Sequence, residues 1–280
     1  MKPLDAIRQG LIEDGLLGKN AGDYGSPDEV MLVSAGPVSH LSRFSLLCGP
    51  TKRRVIVRQP SREQIPVASP HSPLAGQIDL ATNLPFTFHR EIWDGLCWKP
   101  DVSTSSTSLS NGLRDVCACS NDRFSSHGSE NIPFIGPFWA GALSYELVQM
   151  TQPLRLQHPP KEDDLLCVLW EIERCIVHDK DNENLVVLST DTDWKERATR
   201  CLSNNPLESI KFDVLIGEQP TSNCTDVEHE QIVKTVQSSI IDGQLYQLNY
   251  GRSWEGKILT EPWDVFCHSI ASNPAPYSGF

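Results

Sequence analysis

The residues best placed to do chemistry lie near the end of the chain. Asp242-Gly243-Gln244-Leu245-Tyr246-Gln247-Leu248-Asn249 sets a glutamine among aromatic and apolar side chains, directly after an amphipathic stretch. A carboxamide donates and accepts hydrogen bonds but cannot take a proton from water, so Gln247 is no general base. The plainer reading is that Gln247 satisfies backbone groups in a buried strand. Downstream, Asn273-Pro274-Ala275-Pro276-Tyr277 reads as the entry to a strand, because proline biases the residue before it away from helix. The chain stops three residues later at Phe280, so the expectation is a sheet left incomplete within this sequence.

General motifs for other chemistries are missing. The sequence has no His-Glu-x-x-His zinc motif, no phosphate-binding Gly-Lys-Ser/Thr loop and no Gly-x-Ser-x-Gly elbow. Its eight histidines are scattered. The run Glu162-Asp163-Asp164 reads as a solvated turn, since a hard cation needs several oxygens converging in space. Nine cysteines include one close pair, Cys117 and Cys119, whose spacing is not that of zinc or redox sites, so free buried thiols are expected.

The composition bounds the rest. At 280 residues, 39% hydrophobic and 21% charged, the chain is globular and long enough for one large or two ordinary domains. A net charge of −12 argues against nucleic acid as a partner, while leaving room for an anionic substrate in a local basic pocket. No stretch approaches the roughly eighteen apolar residues of a membrane span, and the N-terminus lacks a signal-peptide core. A cytoplasmic protein is expected.

The elements that must position these residues follow from pattern. Residues 1–28 read as a peripheral extension with a short amphipathic stretch at Ile7, Leu11, Leu16 and Leu17. Residues 29–210 read as a first domain. It opens on short strands at Val30–Val33, Phe44–Leu47 and Val55–Val57 and has a Pro- and Ser-bearing loop over 60–83. A mobile Ser-rich insert is expected at about 101–131, with a short helix inside it at Leu109–Val116. Strand patterns return at Leu165–Trp170, and Arg174–His178 with Leu185–Leu188 read as a hairpin around a long turn. Trp194–Leu202 is a helix after the capping candidates Asp191 and Thr192. Residues 222–280 read as the start of a second, incomplete domain. There Thr225 and Glu228 form a capping box for a helix over Val227–Ile241, striped by Val233, Val236, Ile240 and Ile241 and ended by Gly243. Leu245–Tyr250 reads as a strand, and Pro262 opens a last helix with Trp263, Phe266, Cys267 and Ile270 on its inner face.

The tail resembles component I of the chorismate-utilising synthases, aminodeoxychorismate (para-aminobenzoate) synthase and anthranilate synthase. In that family a helix ends in a Gly-Asp-x-Tyr-Gln-Val-Asn type segment and an Asn-Pro-x-Pro-aromatic segment follows. Phe138-Trp-Ala-Gly-Ala-Leu-Ser-Tyr-Glu-Leu147 is similar to a further family segment. So are Met31-Leu-Val-Ser34 and Ser42-Arg-Phe-Ser-Leu-Leu-Cys-Gly49, in the same order. The resemblance implies an α+β fold of antiparallel sheets with packed helices, cut short before the sheet is complete.

It also implies a function. Asn249, Ala275 and the Leu143-Ser-Tyr-Glu-Leu147 run look more like aminodeoxychorismate synthase, which aminates chorismate at C4 on the folate pathway. Such an enzyme uses Mg²⁺ and ammonia supplied from glutamine by an amidotransferase subunit or domain. Related water-using enzymes carry lysine where Gln247 stands; ammonia, already a nucleophile when neutral, needs no such base. Tyr246 and Asn249 would share the active-site strand with Gln247. Ser34, Arg43, Ser45, Asn273, Pro274, Pro276 and Tyr277 match an effector or structural pocket, or else are packing and turn residues. Val33 stands where the family commonly has glutamate, so an anion for an amino-acid ammonium is missing. The family's magnesium ligands and main catalytic residues fall beyond position 280, so this chain alone is expected to be inactive. The alternatives are anthranilate synthase component I, or a non-catalytic truncated remnant that docks a partner.

Overall fold

The computed structural model describes residues 4–18, 26–60, 85–118, 122–124, 132–151, 160–204 and 217–280. The chain forms two compact units, Met1–Ile210 with Pro274–Phe280, and Lys211–Asn273. The expected loop at 60–83 and the serines at 125–129 fall almost wholly outside the described residues.

The first unit is built on two five-stranded antiparallel sheets, and with its helices this makes the fold α+β. One sheet joins β3 (Arg53–Arg58), β4 (Phe86–Trp93), β5 (Trp98–Ser106), β6 (Phe138–Leu143) and β7 (Leu165–Ile172) in the order β5-β4-β3-β7-β6. The other joins β1 (Met31–Val33), β2 (Phe44–Cys48), β8 (Arg174–Asp179), β9 (Asn184–Ser189) and β12 (Ser278–Gly279) in the order β12-β1-β2-β8-β9. Only Glu173 separates β7 from β8, so one continuous run of chain leaves the first sheet and enters the second.

Alternation decides the cores. In β3 the inward Val55 and Val57 are wholly buried with Phe86 and Phe88 of β4 and with Leu166 and Cys167 of β7. Helix α2 (Leu109–Val116) closes over this cluster through Val116, its first turn capped by the Ser108 hydroxyl, which accepts from Asn111 N. Gly112 of α2 lies against the Phe88 ring, where a β-carbon would fall 2.2 Å from Cε2. On the second sheet, Leu46 and Cys48 of β2 pack with Ile172, Cys175, Val177 and Leu188. Ion pairs hold the polar margins: Arg53 Nη1 lies 2.9 Å from the wholly buried Glu171, and Arg54 Nη1 lies 2.9 Å from Asp28.

The first residues contain α1 (Leu4–Glu13), whose Ile7 and Leu11 are buried, and α1 packs against α3 (Thr192–Asn204). Trp194 N donates to Asp191 Oδ1 at 3.1 Å, as a cap should. The serines at 103–106 lie in β5, each paired to β4 from Ser103↔His89 to Ser106↔Phe86. A polar strand survives there because β5 is an edge, where one face and one hydrogen-bonding side meet water. The tail does enter a strand: β12 pairs antiparallel with β1, with Met31 N donating to Phe280 O at 2.8 Å and Phe280 N to Met31 O at 2.9 Å.

The second unit holds α4 (Asp226–Ile241), α5 (Pro262–Ser272) and a short ladder of β10 (Thr221–Ser222) with β11 (Trp254–Glu255). The capping box is present: Glu228 N donates to Thr225 Oγ1 at 3.2 Å, and Thr225 N to Glu228 Oε2 at 2.8 Å. The stripe on α4 is not a buried face, because none of the helix's residues is buried and Ile241 is exposed. In α5, Cys267 and Ile270 are buried, while Trp263 and Phe266 are half-buried with rings 5.8 Å apart. No helix among the described residues is long and apolar enough to cross a membrane.

Candidate functional site

A cleft of about 490 Å³ opens in the first unit between β1, β2 and the tail. Its wall is aromatic: Phe44 meets Phe134 edge-on at 6.2 Å, and Phe134 stacks on Phe138 at 5.1 Å. Pro276 and Tyr277 form the opposite rim, brought there because Ala35 N donates to Ala275 O at 2.9 Å and β12 then pairs with β1.

Ser34 and Arg43 also line the cleft. Ser34 N donates to Ser45 Oγ at 3.0 Å, and Ser34 Oγ donates to Phe44 O at 2.7 Å, so the two serines fix the exit of β1 against β2. Arg43 makes a forked pair with Asp179 of β8, Nε to Oδ1 at 2.8 Å and Nη2 to Oδ2 at 2.7 Å. Asp179 is almost wholly buried and also accepts from Asp181 N at 3.1 Å. The guanidinium beside it, helped by that amide, holds its carboxyl below the usual carboxylate range. Arg43 lies over the Phe44 ring, 4.7 Å from its centroid, so its cationic face is fixed at the cleft wall.

Sequence reasoning missed two parts of this arrangement. Lys180 clamps the loop after β1, its Nζ donating to Ser34 O at 2.7 Å and Gly36 O at 2.6 Å, and burial pushes its ammonium below the ordinary lysine value. The aromatic wall was also missed, although Phe134 and Phe138 belong to a visibly alternating stretch. The lining contains Arg43 and His40 but no carboxylate, and the buried Val33 occupies the position where an acid was missed in the sequence.

Of the seven expected pocket residues, Ser34, Arg43, Pro276 and Tyr277 line the cleft and Ser45 supports it from below. Asn273 and Pro274 are exposed and do not line it; Asn273 ends α5, its N–H donating to Ser269 O at 2.9 Å.

The second group of expected residues lies in the other unit. Gly243, at φ +72°, turns the chain out of α4, and Gln244 N and Leu245 N both close on Ser239 O, at 2.9 and 3.2 Å. Leu245–Tyr250 is not a strand, contrary to expectation. A strand exists only through a paired neighbour, and among the described residues of this unit the ladder of strands joins β10 to β11, not this segment. Tyr246, Gln247 and Asn249 are therefore presented on an exposed irregular segment that bends at Tyr246, with Gln247 Nε2 3.4 Å from Asn249 Oδ1. Arg252 then anchors the chain to the start of α4, its Nη1 2.7 Å from Asp226 Oδ1.

Among the described residues no three His, Cys, Asp or Glu side chains converge to hold a metal, and Glu162-Asp163-Asp164 is an exposed turn. These residues do not fit a Mg²⁺ centre, and no chemical step is assigned to one here.

A family profile described as chorismate binding enzyme matches residues 82–280. No match was found among curated proteins. Solved structures similar to the chain include anthranilate synthase component I from Streptococcus pneumoniae TIGR4, at 15% identity and a TM-score of 0.47. That likeness covers 85% of this chain and 47% of the other, so the chain spans about half the length of that relative.

Proposed function

Because the chain belongs to the family of chorismate binding enzymes, we propose that it contributes to component I of an aminodeoxychorismate synthase. In this reading chorismate is aminated at C4 with ammonia drawn from glutamine by an amidotransferase partner. Asn249, Ala275 and the Leu143–Leu147 run favour aminodeoxychorismate over anthranilate, and Gln247, on the exposed segment after α4, favours ammonia over water as the nucleophile. Its carboxamide offers one carbonyl acceptor and two N–H donors. It can hold ammonia or a hydroxyl in place, but it cannot deprotonate water, so it favours a nucleophile that is reactive when neutral. Tyr246 and Asn249 flank it and belong to the same proposed surface.

The cleft of the first unit enters the proposal as an effector or structural pocket. Ser34, Arg43, Ser45, Pro276 and Tyr277 would form it, while Asn273 and Pro274, expected with them, do not line it. Its cation and apolar wall, without a carboxylate, disfavour an amino-acid ammonium. The Mg²⁺ of such a synthase is part of the proposal only through ligands other than the described residues.

The test is product identity. The chain is incubated with chorismate, Mg²⁺, glutamine and an amidotransferase subunit, with and without a second polypeptide carrying the metal-binding half of a family member, and products are separated by liquid chromatography with mass detection. The expected outcome is aminodeoxychorismate in the complemented mixture and no turnover by the chain with its amidotransferase alone. Anthranilate as the product would replace the finer reading with anthranilate synthase. Isochorismate or salicylate would sink the argument from Gln247.

A further inference from the structure

Two cysteines stand directly opposite each other in the second sheet, Cys48 at the end of β2 and Cys175 near the start of β8. Their place in the ladder is fixed by the bonds on either side. Gly49 N donates to Arg174 O at 2.9 Å and Lys180 N to Arg43 O at 3.0 Å, which marks 49/174 and 43/180 as hydrogen-bonded pairs. Alternation along an antiparallel ladder then makes 48/175 a non-hydrogen-bonded pair. In such pairs the Cα atoms approach to about 4.5 Å and both side chains leave the sheet on the same face. A disulfide requires a Cα separation of about 4.4–6.8 Å, so the register already meets the condition. Both side chains are wholly buried in the same cluster, with Ile172, Val177 and Leu188.

We propose that Cys48 and Cys175 are a redox-sensitive pair that closes to a disulfide across β2 and β8 when the protein meets hydrogen peroxide. The balance is simple. One thiol, as its thiolate, attacks a peroxide oxygen and becomes a sulfenic acid as the O–O bond breaks, releasing water. The second sulfur displaces the sulfenic oxygen, which leaves as a second water. Two thiols and one peroxide give one disulfide and two waters. Burial pushes the Cys175 thiol up to about 12 and Cys48 well above its ordinary value, so the attacking thiolate is a small fraction and closure is slow, needing sustained exposure to the oxidant. A small neutral oxidant is the reagent suited to reach them. The bond would tie the strands that carry Phe44 and Asp179, with Arg43 just before β2, making this part of the cleft wall one covalent piece. The inference does not depend on which reaction the chain serves.

The experiment uses the unmodified chain. It is treated with hydrogen peroxide, alkylated under denaturing conditions, digested without reductant and mapped by mass spectrometry. A cross-linked peptide joining Cys48 to Cys175 is expected, lost on treatment with dithiothreitol. The thermal midpoint should rise by about 5–10 °C, reversibly, in the unmodified chain and not in Cys48→Ala or Cys175→Ala. The proposal falls if both thiols are recovered alkylated while the exposed Cys97 is oxidised. It also falls if Cys48 is found linked elsewhere, to Cys167 or Cys117 for example, or oxidised to a sulfinic acid. The peptide map stands even where a variant fails to fold.

Discussion

Replacing Gly112 by alanine should destabilise the first unit, although alanine is the better helix former. An added β-carbon would lie 2.2, 2.4 and 2.5 Å from Phe88 Cε2, Cζ and Cδ2. Ordinary contact begins near 3.4 Å, so the ring must retreat by 3.4 − 2.2, or 1.2 Å. Phe88 is wholly buried, with Val55, Val57 and Phe86 in the same cluster, so its ring must retreat into packed side chains. Forcing an extra carbon into a packed core costs about 1–3 kcal/mol. Helix propensity returns up to about 1 kcal/mol. An overlap of this size against a wholly buried ring falls in the upper part of the packing range, about 2–3 kcal/mol. The net loss is then about 1–2 kcal/mol, or a fall of about 2–8 °C in the melting midpoint for a domain of this size. Circular dichroism in a urea series, with the slope unchanged, measures it. Phe88→Leu should relieve the clash, so a double-mutant cycle should give a coupling of at least ~1 kcal/mol. A neutral or stabilising Gly112→Ala, or a cycle without coupling, would refute the packing of α2 on β4.

Three further outcomes are expected. The folded Asp179 carboxyl is held low by Arg43, so its contribution is present above the unfolded carboxylate range of about 3.9 and is lost as pH falls through the lower folded value. Melting midpoints followed from pH 6 to pH 2 should therefore fall less steeply at the acid end in Asp179→Asn than in the native chain. Thr225→Ala removes the cap of α4 and should cost about 1 kcal/mol. It should be read as faster amide exchange over residues 226–230, because no tertiary burial compensates there. Gly243→Ala forces a β-carbon into a left-handed conformation at φ +72° and should cost about 1 kcal/mol, measured by urea denaturation.

What the sequence made legible was local. The capping box at Thr225 and Glu228, the short helix Leu109–Val116 and the hairpin from Arg174 to Leu188 each depend on residues close together in the chain, and each lies where the pattern puts it. What it hid was pairing between distant segments. β4 carries charged and aromatic residues side by side, and β5 is mostly polar, so neither shows a clean alternation even though together they form an eight-pair ladder. Leu245–Tyr250 has a strand's composition and no neighbour to make it one. The site divides in the same way. Ser34, Arg43, Pro276 and Tyr277 were named from motifs, whereas Lys180 and the Phe134–Phe138 wall reach the cleft only through folding.

The pairing of β12 with β1 has a consequence for synthesis. Leu32 and Val33 leave the ribosome about 245 residues before Ser278 and Gly279, their partners in the ladder. At ~5–20 residues per second that is roughly 10–50 s. Throughout that interval the outer side of β1 has amides and carbonyls with no mate, while β2 can already cover its inner side. The nascent chain therefore carries a sticky rim during translation until the residues that silence it, about 245 positions downstream, have been made.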